Sequence, residues 1–157
     1  MAWEFHVLVV ANVTATSDDL LAVLRERASR DTCRFTLLMP REGDDGRARL
    51  EAALEAMTAA GLGNVSGRTG DHDPIVAAME VWDPMEFDEF VVSTLPTGSS
   101  RWLGLDLPRR LEKLTSVPVQ HVVSRPQASE VQWERPAEPE RYGVLSPLAA
   151  ALTRKRS

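Results

Sequence analysis

The sequence predicts an α/β domain: a doubly wound, five-stranded parallel sheet with helices on both faces. Three observations carry this. Short apolar runs, most of them rich in valine, recur between residues 5 and 123 without the alternation of a half-wetted strand, as parallel strands covered on both sides require. Between them lie segments whose apolar residues recur at helical spacing, joined by short connections, which is the strand–helix–strand order of a parallel sheet. A length of 157 residues, 43% hydrophobic and 26% charged, suits one domain with a sizeable core plus a tail.

The first run, Phe5 to Ala11, is nearly continuous and stops at Asn12. Thr14, Thr16 and Ser17 then offer capping hydroxyls, and Asp18 and Asp19 place negative charge where the dipole of a following helix favours it. That helix buries Leu20, Leu21, Val23 and Leu24 and turns Arg25, Glu26 and Arg27 to water. Strand two, Arg34 to Met39, is closed by Pro40, which cannot donate to a ladder. After a charged loop containing Gly43, helix two runs from about Gly46 to Ala60, with Leu50, Ala53, Leu54 and Met57 inward and Gly61 as its stop. Asn64 to Thr69 is a weaker strand, with Val65 its one strongly apolar residue, and belongs at a sheet edge.

Gly70 to Pro74 is a turn in which Asp73 caps helix three and Pro74 opens it. Ile75, Val76, Met79 and Trp82 then face inward. Strand four, from Phe90, runs into a loop of small hydroxylated residues with Gly98, followed by Arg101 and Trp102. Helix four, from about Leu107 to Leu114, buries Leu107, Leu111 and Leu114; strand five spans Val117 to Val123, with Pro118 suiting an edge. The arrangement is Rossmann-like, with strand order 3-2-1-4-5. Trp3 and Trp82 read as core, Trp102 and Trp133 as contact surface. The domain covers residues 1–124. Residues 125–157, where Pro126, Pro136 and Pro139 lie among glutamates and arginines, form a tail with a short helix near Val144 to Leu152.

Composition excludes several function classes. A net charge of −5 offers no general attraction to nucleic acid or an anionic membrane, so neither is expected as a partner. The first twelve residues read as strand rather than signal peptide, and no apolar run approaches the roughly 18 residues of a membrane span. Cys33, the single cysteine, excludes an internal disulfide, and the cytoplasm is the expected compartment. His6, His72 and His121 show no ligand spacing, so no metal site is expected.

In a doubly wound sheet, ligands sit outside the carboxyl ends of the strands, where the strand order reverses. The turns leaving Asn12 and Thr94 are expected to lie side by side and frame that crevice. Thr94, Thr97, Gly98, Ser99, Ser100 and Arg101 make either an anion pocket of hydroxyls, backbone N–H groups and a guanidinium, or a loop that satisfies its own backbone. Asn12 and Thr14 belong to the same crevice or to turn chemistry. Met39, with Val10 and Val92, borders a base or is simply core, and Asp71 bonds a ligand or its own turn.

The valine-rich first strand ending in a polar residue, Gly70-Asp71 with Pro74, Phe87 to Val92 entering a Gly/Ser/Thr loop, and Val117-Pro118-Val119 as a closing strand together resemble the universal stress protein family over about residues 4–123. The resemblance implies ATP or another adenine nucleotide as ligand. It departs from the family pattern at Asn12, where nucleotide-binding members carry an aspartate, and in its glycine motif, reduced here to Gly98 and Gly104. The expected function is a non-catalytic regulatory or binding module, homodimeric through the fifth-strand edge. The alternatives are a nucleotide-dependent enzyme that hydrolyses ATP or transfers its phosphoryl or adenylyl group, and a protein-interaction scaffold without ligand.

Overall fold

The structure, a computed structural model, describes residues 3–96, 102 and 106–125. Five strands, β1 (Phe5–Val10), β2 (Cys33–Pro40), β3 (Val65–Gly70), β4 (Glu89–Thr94) and β5 (Val119–Val123), form one sheet of order β3-β2-β1-β4-β5. Every pairing is parallel, as connections through helices require. The described helices are α1 (Asp18–Arg30), α2 (Gly46–Ala59), α3 (Pro74–Val81) and α4 (Leu107–Thr115). The predicted order and the edge positions of the third and fifth strands are those found.

Successive side chains of a strand point to opposite faces, and β1 shows how this divides the core. Val7 and Val9 join Leu20 and Leu24 of α1 and Ala53 and Met57 of α2. Leu8 and Val10 join Ala77 and Ala78 of α3 and Leu107 and Leu111 of α4. The central strand is thus buried on both faces, which explains why its sequence is a continuous apolar run. On the edge strand β3, two glycines set how closely the helices approach. A Cβ at Gly67 would lie 2.8 Å from Leu50 Cδ1 of α2, and one at Gly70 would lie 2.8 Å from Ala77 Cβ of α3.

Caps form where the sequence places them. Ser17 Oγ accepts from Leu20 N–H at 3.0 Å, and Asp73 Oδ1 accepts from Ile75 N–H at 2.8 Å with Pro74 opening α3.

Four expectations are corrected. Arg27 is buried rather than wet: its guanidinium makes two 3.0 Å bonds to Glu89 of β4, one of 2.7 Å to Asp31, and lies over the Phe5 ring. Val76 is 41% exposed, because the tight approach at Gly70 gives the sheet-facing positions of α3 to Ala77 and Ala78. Leu114 is exposed, since Leu107 and Leu111 already fill the buried stripe of α4. Trp3 is 67% exposed; it precedes β1 and its ring meets Phe5 only edge-on.

Candidate functional site

The strand order reverses between β1 and β4: the chain leaves β1 toward β2 on one side, while β4 pairs on the other. In doubly wound sheets the carboxyl ends of such strands are where a ligand crevice is placed. From β1 the chain passes through Asn12 and a turn held by Ala15 N–H to Asn12 O and Ser17 N–H to Thr14 O, each 3.0 Å, before Ser17 caps α1. Thr14 is carried by this turn toward β4. Its hydroxyl lies 2.7 Å from Ser93 Oγ and donates to Ser93 O at 3.3 Å. Ser93 Oγ in turn lies 2.7 Å from Ser124 Oγ, and Ser124 N–H donates to Thr94 O. Three buried hydroxyls from the ends of β1, β4 and β5 thus form one chain across the crevice floor. With Thr14 donating to Ser93 O, the Ser93 hydroxyl donates to Thr14 and the Ser124 hydroxyl to Ser93, so none is left without a partner.

Asn12, 8% exposed, is engaged at both ends of its amide: Nδ2 donates to Pro40 O at the end of β2, and Oδ1 accepts from Arg49 Nη2 of α2. The amide is neutral, so it accepts from the arginine without compensating its charge. Thr94 is buried, and its hydroxyl lies 2.7 Å from His121 Nε2 of β5. Partial burial pushes the His121 imidazole below its ordinary range and favours the neutral ring. This pair joins a hydroxyl to a base, but the Thr94 side chain is enclosed, and the contact ties β4 to β5.

The remaining predicted residues divide clearly. Met39 is 2% exposed and packs with Val9 and Leu37 in the core under α1 and α2. Asp71 accepts from Asp73 N–H at 2.9 Å and so closes its own turn. Thr97, Gly98, Ser99, Ser100 and Arg101 lie outside the described residues. The structure therefore joins Thr14 to Ser93, directs Asn12 toward β2 and α2 and Thr94 toward β5, and sets Met39 and Asp71 into packing and turn roles.

Sequence reasoning missed Ser93, Ser124, Arg49 and His121. For Ser93 there was a signal: a hydroxyl inside an otherwise apolar run, at the carboxyl end of a central strand, needs a partner. Arg49 carried none, because a surface-helix arginine looks the same whether it meets water or an asparagine from another element.

Among the described residues no group of three or more His, Cys, Asp or Glu side chains is placed to hold a metal ion. No described helix is long and apolar enough to cross a membrane.

No protein-family model matches the chain, and no curated protein matches it. Among solved structures, it is similar to a universal stress protein crystallised in complex with cAMP, at 20% identity and a TM-score of 0.60. The match covers 79% of this chain and 99% of that one. The two share an architecture over nearly all of the solved protein's length, so the chain has the fold of a universal stress protein.

Proposed function

We propose that this protein is a non-catalytic, universal-stress-like regulatory or binding module whose ligand is a nucleotide or another phosphate compound, held in the crevice between the ends of β1 and β4. The observation that carries the reading is the Thr14–Ser93 contact at the point where strand order reverses, which joins the two turns into a single floor. Arg49 supports an anionic ligand, since among the described residues its guanidinium meets the neutral amide of Asn12 and no carboxylate. The solved structure of similar fold holds cAMP, which supports an adenine nucleotide as the first class to test.

A non-catalytic role is favoured by how the hydroxyls are used. Thr14, Ser93 and Ser124 bond one another and are buried, so none is presented as a nucleophile. The assembly we propose is a homodimer through β5, an edge strand whose outer backbone groups meet no partner strand among the described residues and whose Val123 is 49% exposed. The compartment we propose is the cytoplasm, in keeping with a single, buried, unpaired cysteine.

Calorimetric titration with ATP, ADP, AMP and cAMP tests the ligand. Saturable heat with at least one, weakened by Arg49→Gln, supports the crevice. No heat and no thermal shift with any of them overturns it in favour of a scaffold. Magnesium-dependent ATP turnover overturns the non-catalytic part, and a monomer mass at high concentration overturns the dimer.

A further inference from the structure

At the amino ends of the strands, opposite the crevice, one buried polar atom has no partner. Among the described residues, His6 Nδ1 is the single buried side-chain nitrogen or oxygen without a hydrogen bond. Such an atom calls for a reason, because burial strips it of water and nothing replaces the lost bond. His6 is 4% exposed on β1, and its ring centroid lies 4.2 Å from that of Phe87. Its other nitrogen, Nε2, is 2.7 Å from Thr36 Oγ1 of β2, which is in turn 3.3 Å from Oγ of Ser66, an exposed residue of β3. Nδ1 faces Glu86 instead, with Oε2 at 3.8 Å, beyond hydrogen-bond reach.

Glu86 belongs to the turn that joins α3 to β4. Asp83 holds that turn: its O accepts from the N–H groups of Glu86 and Phe87, and its Oδ1 from that of Met85, each at 2.9 Å. Asp88 fastens the turn to β1, since its Oδ2 accepts from His6 N–H and its own N–H donates to His6 O, both at 2.9 Å. The Glu86 side chain is half-exposed, so its carboxylate can swing without disturbing the core.

In the neutral ring one nitrogen donates and the other accepts, and the Thr36 hydroxyl can answer Nε2 in either role. Nδ1 is unmatched in both. Protonation makes both nitrogens donors. Nε2–H then donates to Thr36 Oγ1, the Thr36 hydroxyl turns to Ser66 at the surface, and Nδ1–H faces a carboxylate. Hydrogen bonding therefore suits the imidazolium, whereas solvation opposes it. Burial acts most strongly and, with the charge of Arg34 opposite His6 on β2, disfavours the cation; Glu86 and Asp88 favour it. Arg34 is itself 3.7 Å from Glu4, and Phe87 and Thr36, also against the ring, are uncharged.

We propose that His6 and Glu86 form an acid-responsive latch: proton uptake by the imidazole draws the Glu86 carboxylate into a direct hydrogen bond with Nδ1 and tightens the α3–β4 turn onto β1. The proton comes from water and adds to the ring, and no other covalent bond changes. The latch lies at the opposite end of β4 from Ser93 and Thr94 and does not depend on what the crevice binds.

The test is an NMR titration of the full chain from about pH 7.5 to about pH 4.5, spanning the ordinary imidazole range. It follows the ring nitrogens of His6, the amides of Glu86, Phe87 and Asp88, and the indole of Trp82, which stacks on Phe87 at 5.9 Å. Expected is one shared midpoint below about 6.5. Glu86→Gln is expected to weaken proton binding by His6 about threefold or more and to uncouple the turn amides from it. Glu112→Gln, which removes an exposed carboxylate from α4, is expected to leave the midpoint in place. In thermal unfolding, Glu86→Gln should lose stability more steeply than the wild type below about pH 6.5, because its folded state takes the proton less readily while the unfolded chain is unchanged. The proposal is overturned if His6 stays neutral in the folded protein across this range, if the Glu86→Gln midpoint equals that of the wild type, or if Glu112→Gln shifts it as far. It is overturned as a latch if the ring titrates while the amides of Glu86, Phe87 and Asp88 do not follow.

Discussion

Replacing Gly70 by alanine tests how α3 is seated on the sheet. The new Cβ would lie 2.8 Å from Ala77 Cβ, 3.2 Å from Leu38 Cδ1 and 3.4 Å from Ala77 Cα. Carbon atoms rest about 3.5–4.0 Å apart, so the closest pair must open by roughly 0.7 Å or more. Ala77 cannot turn its methyl aside, because Cβ is fixed to the helix backbone, so relief requires moving α3. Overpacking of this kind costs about 1–3 kcal/mol, against which a glycine-to-alanine change at an ordinary φ gains about 0.4–1 kcal/mol through the unfolded chain. The net expectation is a loss of about 1–2 kcal/mol. Gly67→Ala is the internal control: its close neighbours, Leu50 Cδ1 at 2.8 Å and Leu54 Cδ1 at 2.9 Å, are ends of flexible side chains that can rotate away. It is expected to change stability by less than about 1 kcal/mol in either direction. Urea unfolding followed by circular dichroism measures both, at unchanged m. A Gly70→Ala protein as stable as wild type, or a Gly67→Ala protein that loses more than it, would refute this account of the helix–sheet contact. The cycle with Ala77→Gly should show coupling above about 0.5 kcal/mol, since the clash needs both methyls.

Three further outcomes are expected. Arg27→Met leaves Glu89 partly buried without its bidentate partner and should cost about 3–5 kcal/mol in urea unfolding, with most of the loss recovered in Arg27→Met/Glu89→Met; a single-variant loss below 1 kcal/mol would contradict the pairing. Ser93→Ala removes the middle of the hydroxyl chain and should cost about 1–3 kcal/mol, with faster hydrogen exchange at the Ser124 amide; unchanged exchange there would show that the chain does not hold β5 in place. Burial, and then the charge of Arg34, hold the His6 imidazole below its ordinary value, with its Nε2 bonded to Thr36 and its Nδ1 lacking a hydrogen-bond partner. Above the unfolded-state pKa of about 6.5 both states are neutral at this residue and it contributes no pH dependence. As pH falls below that value the unfolded chain takes the proton first, so stability declines until folded His6 itself protonates. His6→Gln should flatten the fall of Tm between pH 7 and 5, and an unaltered slope would exclude His6 as its source.

What was legible in the sequence is what local pattern encodes. The five strands, the four helices after them, the Asp73-Pro74 cap and the edge character of β3 and β5 all follow from runs, spacings and punctuation within a few residues. The crevice was legible in position, because a parallel sheet of this order has its switch point beside the end of β1. Its chemistry was less so: Asn12 and Thr14 were visible, but their partners were not.

The sequence by itself determined the fold, since burial on both faces forces continuous apolar strands and burial on one forces helical periodicity, and both are written locally. Only the tertiary structure decided which polar side chains meet. Arg27 finds Glu89 62 residues away, Thr14 finds Ser93 79 residues away, and Arg49 of α2 finds Asn12 37 residues away. Such pairings depend on strand register and helix placement, which are settled by packing of the whole core, so no window of the chain contains them.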